Sequence, residues 1–145
     1  MMRSNPWNSY RQVAAQTATP GNLVLMLYDG AIRFLEQARQ GFTLTDPLEY
    51  NLTINNSVQR AQAIINELDC ALNTREGGDL ANTLRGLYGY FDRRLTESNF
   101  KKDVHGIIEI IKRLTVLRDA WAQMLTQGSF EPEMAESSGM LSAVG

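Results

Sequence analysis

Ile107-Ile108-Glu109-Ile110-Ile111-Lys112-Arg113-Leu114-Thr115-Val116-Leu117-Arg118-Asp119-Ala120-Trp121-Ala122-Gln123-Met124 sets Ile107, Ile110, Leu114, Leu117, Trp121 and Met124 three, four, three, four and three residues apart. Steps averaging about 3.5 residues put one apolar face of a helix toward other helices. Three segments upstream repeat the pattern. One carries Val24, Leu27, Ala31, Phe34 and Ala38, widened by Leu23, Met26, Ile32 and Leu35. The next carries Ile54, Val58, Ala61, Ile65, Leu68 and Leu72, and the third Leu80, Leu84, Leu87, Phe91 and Leu95. No segment alternates with period two, so no strand is predicted.

The boundaries of these segments are chemical. Thr19-Pro20 and Asp46-Pro47 each read as an N-cap followed by a first-turn proline. Gly77-Gly78-Asp79 and Asp103 mark two further starts. Pro6, Pro20, Pro47 and Pro132 all avoid helix interiors, where proline would break the hydrogen-bond ladder. The links near 43–46, 74–78 and 100–103 are short, which makes neighbouring helices antiparallel. The predicted fold is all-α: an up-down-up-down four-helix bundle over 20–127 with an N-terminal arm over 1–19. Residues 1–127 form one domain in this reading. Residues 128–145, rich in Gly, Ser, Ala and Glu, are predicted to be a disordered tail.

Composition removes several function classes. Of 145 residues, 43% are apolar, which suffices for a core, and the net charge of −2 is no basic footprint for nucleic acid. No apolar run reaches the ~20 residues of a membrane span. The N-terminus lacks the apolar stretch of a secretory signal. One cysteine, Cys70, permits no internal disulfide and suits a reducing compartment, so a cytoplasmic location is expected.

Helical bundles often hold metals, and the residue counts oppose that here. A di-iron bundle needs two Glu-x-x-His pairs, and His105 is the single histidine. The same count removes multi-histidine zinc, and no Cys-x-x-Cys-His exists for covalent haem. Haem held by His105 and a methionine would need matched positions on facing helices. A nucleophilic Cys70–His105 pair would need an electropositive, accessible setting. Cys70 reads instead as a small buried hydrophobe, and His105 as a solvated first-turn residue. Gly77-Gly78 lacks the lysine and strand of a phosphate loop. Arg93-Arg94 reads as cations near a helix C-terminus, and Glu67 and Asp69 as solvated charges. No catalytic residue, cofactor or metal is expected, and the chain reads as a binding protein.

The surplus is apolar. Met26 and Tyr28 flank the first stripe, Tyr88 and Tyr90 the third, and Ile108 and Ile111 the fourth. A stripe wider than about 100° suggests a second surface, such as a groove for a partner's amphipathic helices. The arm, with Trp7 and Tyr10, could lie in it when the partner is absent. An exposed apolar face would also allow a homodimer.

Four blocks resemble the flagellar secretion chaperone family, FliS. Tyr10 to Pro20, ending Thr17-Ala18-Thr19-Pro20, with Leu23-Val24-Leu25-Met26-Leu27-Tyr28-Asp29-Gly30-Ala31, resembles its opening signature. Arg60 to Leu68 resembles its second-helix motif. Leu87-Tyr88-Gly89-Tyr90, with Arg93-Arg94-Leu95 and Asn99, resembles its third. Leu117-Arg118-Asp119-Ala120-Trp121 resembles its fourth-helix ending. Trp7, Gly89, Phe91 and Ser98 depart from the usual pattern, where tyrosine, aspartate, methionine and alanine are common. The resemblance implies a helical bundle that binds the disordered C-terminal segment of flagellin in the cytoplasm. It implies prevention of premature polymerisation and delivery to the type III export gate at the membrane. Under that resemblance Tyr10, Leu23, Met26, Leu27 and Tyr28 are the expected contributors to the cargo surface or its cover. Ile54 and Val58 on the second helix and Ile108 and Ile111 on the fourth are added to them.

Overall fold

Residues 19–72 and 74–127 are described by the computed structural model. Their helices are α1 (Pro20–Gly41), α2 (Pro47–Cys70), α3 (Thr74–Lys101) and α4 (Val104–Thr126). No strand occurs among the described residues. Of the predicted arm over 1–19, residues 1–18, including Tyr10, lie outside the described residues, as does the predicted tail over 128–145.

Three of the four starts form as the sequence suggests. The Thr19 hydroxyl accepts the Asn22 N–H at 3.2 Å, and the Asp46 carboxylate accepts the Glu49 N–H at 2.9 Å. Both satisfy donors that the first turn leaves without a partner, and Pro20 and Pro47 have no N–H to satisfy. Asp103 caps α4 by accepting the His105 N–H at 3.0 Å. The third start differs. Helix begins at Thr74 and is interrupted at Gly78, whose φ of 60° and ψ of −136° suit glycine. Gly78 acts as a hinge between a short leading turn and the main helix.

Contacts across each seam run in opposite numerical directions, so each pair of adjacent helices is antiparallel. Along α1–α2, Gly41 lies against Thr53 and Ile54, and further back Arg60 sits over the Phe34 ring at 6.0 Å. Along α2–α3 the pairs are Asn55–Asn99, Gln62–Thr96 and Asp69–Arg85. Along α3–α4, Ser98 abuts Gly106 and Arg94 meets Glu109. Helix α4 closes the ring on α1 through Trp121, whose indole N–H donates to the Gly21 carbonyl at 2.8 Å, and through Arg118–Asp29, also at 2.8 Å.

The core is a single cluster reached by all four helices. Phe91, Leu35, Ile54, Ile64, Leu95, Ile107, Ile110 and Leu114 are among its fully buried members. Its register corrects two predicted stripes. On α1 the buried line is Val24, Tyr28, Ala31, Leu35 and Ala38, while Leu27 and Phe34 are half-buried. On α3, Ala81 and Tyr88 are buried, Leu87 is half-buried and Leu80 is exposed. The phenols explain the shift. Tyr28 and Tyr88 are both 3% exposed and share a 2.5 Å hydroxyl hydrogen bond across the bundle. A buried tyrosine needs such a partner, and each supplies the other. Burial is the leading reason that both phenols are held above the ordinary tyrosine range.

Cys70 is also corrected: it ends α2 and is exposed, because the chain leaves the helix there. His105 is a solvated first-turn residue as expected, its ring held to Asp103 at 2.8 Å. Among the described residues no helix is long and apolar enough to cross a membrane, and no cluster of metal-ligating side chains occurs.

Candidate functional site

The structure distributes the expected site residues over three settings. Tyr28, Ile54 and Val58 are in the core, at 3%, 0% and 0% exposure, and present no side-chain surface in this state. Leu23, Met26 and Leu27 are half-buried on the leading half of α1. The α1–α2 register carries Leu27 level with Glu67 and Leu23 level with Ala71. Leu23 and Leu27 also share the face of α1 that carries Phe34 and Gly41, which lies against α2. Ile108 and Ile111 are half-buried on α4 and come together in a shallow groove of about 190 Å³ facing α1, with Glu36, Arg39 and Lys112. Ile108 and Ile111 meet α1 at Glu36 and Arg39, in its later half, whereas Leu23, Met26 and Leu27 belong to its leading half, so the two sets are separate along the helix.

The α3–α4 seam carries a charged clasp. Glu109 accepts from the Tyr90 hydroxyl at 2.6 Å, Arg94 at 3.0 Å and Arg113 at 2.9 Å. The Tyr90 bond is the leading reason that the Glu109 carboxyl is held below the ordinary glutamate value, followed among favourable contacts by the two arginines. Arg94 also reaches Glu97 at 3.2 Å. The Arg93-Arg94 pair is thus split: Arg94 is used inside the molecule, and Arg93 is exposed.

A groove of about 520 Å³ runs along α2–α3, where the sequence had suggested none. Gln59, Gln62, Ala63, Ile65, Asn66 and Asp69 line one wall. Arg85, Tyr88, Gly89 and Asp92 line the other. Three polar bridges cross this seam. The Asn99 amide donates to Asn55 at 2.9 Å, Gln62 donates to the Thr96 hydroxyl at 2.9 Å, and Arg85 donates to Asp69 at 3.2 Å. Gln59 and Asn66 fall between the bridges and are exposed, and their side-chain amides make no hydrogen bond to a described residue. A Cβ on Gly86 would meet nothing within 4 Å, and one on Gly89 would meet only the Arg93 guanidinium at 3.4 Å. Neither glycine is required by packing, yet each costs a helix up to about 1 kcal/mol relative to alanine. The signal for this groove is present in the sequence: Asn55, Gln59, Gln62, Asn66 and Asp69 repeat at the same spacing as the core stripe, in polar rather than apolar residues.

Four antiparallel helices are the bundle that the resemblance implies. The model of the family described as "Flagellar protein FliS" matches residues 3–128. The chain belongs to this family. A flagellar secretion chaperone FliS of Bacillus subtilis is 37% identical over 125 residues, which cover 86% of this chain and 90% of that protein. The Salmonella typhimurium protein of the same name is 32% identical, with 85% and 92% covered. The Campylobacter jejuni protein is 31% identical, with 86% and 94% covered. These FliS relatives are named as chaperones, so the chain is placed among binding proteins of flagellar biogenesis and not among enzymes.

Proposed function

We propose that this chain is a cytoplasmic export chaperone that binds the disordered C-terminal segment of flagellin, keeps it from polymerising and delivers it to the flagellar type III export gate. The observation that carries this reading is the family match across residues 3–128, with relatives named as flagellar secretion chaperones. The fold supplies the physical means. A disordered segment that folds as it binds needs an apolar surface on a stable scaffold, and ordering entropy then moderates the affinity. Such a complex is specific and still releasable.

Leu23, Met26 and Leu27 on α1, and Ile108 and Ile111 on α4, are the proposed contacts. Their half-burial lets a partner cover what the core leaves open. Tyr28, Ile54 and Val58 take part from beneath, by shaping the helices that carry the surface. Tyr10, in the arm, is the proposed cover. A filament-growth assay tests the reading. Flagellin seeded with filament fragments should stop elongating when the chain is equimolar. Elongation at an unchanged rate would contradict the proposal. Met26→Asp should restore elongation while leaving the circular dichroism of the bundle intact, and an unfolded Met26→Asp would place that side chain in the core.

A further inference from the structure

Charge is divided unevenly along the chain. Residues 128–145 hold Glu131, Glu133 and Glu136 and no basic residue, so that stretch carries −3. All 14 basic residues and 13 of the 16 acidic ones precede it, which leaves +1 on the rest. The α3–α4 seam and the outer face of α4 are more basic still. Arg94, Lys101, Lys112 and Arg113 stand there against Glu97 and Glu109. Arg94 and Lys101 share Glu97, and Arg94 and Arg113 share Glu109. Lys112 is exposed and makes no ion pair or hydrogen bond with a described residue.

Apolar surface flanks this cation. Ile108, Lys112 and Val116 follow one another at four-residue spacing, which keeps them on one stripe of α4. Val116 is 68% exposed, and Ile108 and Lys112 border both α4 grooves, of about 410 and 190 Å³. Val116 and Lys112 are about 6 Å apart along the helix axis. Two residues of extended chain advance about the same distance and return to the same side. Met134 and Glu136 have that spacing, and Pro132 before them favours extended backbone.

Chain reach brings the two together. Helix α4 ends at Thr126, and Gly128-Ser129 supplies turn residues directly after it. Five extended residues from Ser129 to Met134 cover about 16 Å. Val116 lies ten residues before the helix end, about 15 Å back. Glu136 then falls level with Lys112, and Ser138 level with Ile108. Alternation turns Glu131 and Glu133 away from Asp119, which pairs with Arg118 at 3.2 Å.

We propose that residues 130–138 run back along the outer face of α4, with Met134 on Val116 and the Glu136 carboxylate on the Lys112 ammonium. The tether sets an effective concentration of about 1 mM, so a contact too weak between separate molecules holds within one chain. The docked stretch also covers Ile108 and withholds it until cargo displaces it, a consequence that, unlike the docking itself, rests on the flagellin reading above.

The test is paramagnetic broadening in the full-length, nitrogen-15-labelled chain carrying a nitroxide on Ser138→Cys in a Cys70→Ser background. Amide signals from Ile108 to Val116 should broaden, and those of α2, diagonally opposite in the bundle, should not. Lys112→Glu should abolish the broadening and leave the melting temperature unchanged. Adding Glu136→Lys to it should restore the broadening, which a merely structural role of Lys112 would not do. Broadening spread over all four helices, or broadening that survives Lys112→Glu, would overturn the docking. So would broadening seen only when a separate nitroxide-bearing chain is added, which would place the tail of a second copy on this face. Glu136→Lys should bind the flagellin C-terminal segment about threefold more tightly, as for a face open about a third of the time in wild type. Unchanged affinity would overturn the withholding of Ile108. If wild type does not bind the segment at all, the flagellin reading fails, and the broadening alone decides the docking.

Discussion

Helix α2 carries two stripes with identical spacing and opposite chemistry. Ile54, Val58, Ala61, Ile65 and Leu68 step four, three, four and three residues, and so do Asn55, Gln59, Gln62, Asn66 and Asp69, one position later. One residue of offset is about 100° around a helix. The first stripe is buried among all four helices. The second lies along the rim of α3, bridged at three points and open at two. Period alone therefore does not say what a helix face is for. Side-chain chemistry on that period separates a face that holds the fold from one free to meet a partner.

The strongest way to break this contrast is to exchange the effects of adjacent residues. Ile65→Ala should destabilise the chain by about 2–5 kcal/mol in urea unfolding, as large-to-small core changes do. Asn66→Ala, one residue on, should stay within about 0.5 kcal/mol. Equal losses would mean that the rim is as much part of the scaffold as the core.

Smaller effects sharpen the contrast on α3. Tyr88→Phe leaves the Tyr28 hydroxyl buried without its partner, and should cost about 1–3 kcal/mol. The glycines should behave oppositely to one another. A Cβ on Gly106 would lie 2.8 Å from the Ser98 Cβ, so Gly106→Ala should cost about 1–3 kcal/mol. Gly89→Ala meets only the far end of Arg93, at 3.4 Å, and should stabilise the helix by up to about 1 kcal/mol. Thermal melts of the two variants give the signs directly, and a destabilising Gly89→Ala would contradict the open floor of the groove.

The smallest effect concerns the α3–α4 clasp. The Glu109 carboxyl is held below its ordinary value of 4.5, so its stabilisation is present above pH 4.5 and is lost as pH falls through the lower folded value. The melting temperature of wild type should fall more steeply below pH 4.5 than that of Glu109→Gln. Parallel acid profiles would remove the clasp from the account of stability.

Much of the fold was legible in the sequence because the physics that sets it is local. Thr19-Pro20, Asp46-Pro47 and Asp103 each satisfy first-turn donors whatever the rest of the chain does. The four apolar stripes then leave few ways to pack. The errors came where a partner on another helix decides the outcome. Tyr28 and Tyr88 read as surface aromatics, since neither position shows that the two hydroxyls meet across the bundle. Leu80 is exposed because the buried line of α3, through Leu84, Tyr88, Phe91 and Leu95, meets Ala81 one step of three earlier. Of the expected cargo surface, Leu23, Met26, Leu27, Ile108 and Ile111 retained partial exposure, whereas Ile54 and Val58 were taken by the core. The α2–α3 groove is not legible in the sequence because a stripe of amides looks like ordinary solvated surface until the opposing helix is in place.

The most direct test of the chaperone reading is titration calorimetry of the full chain with the C-terminal segment of its own organism's flagellin, with circular dichroism of the mixture. The expected result is saturable one-to-one binding with more helix in the complex than in the two components summed. A cooperatively melting chain that releases no heat and gains no helix would contradict it, leaving a FliS-family bundle whose partner is another protein.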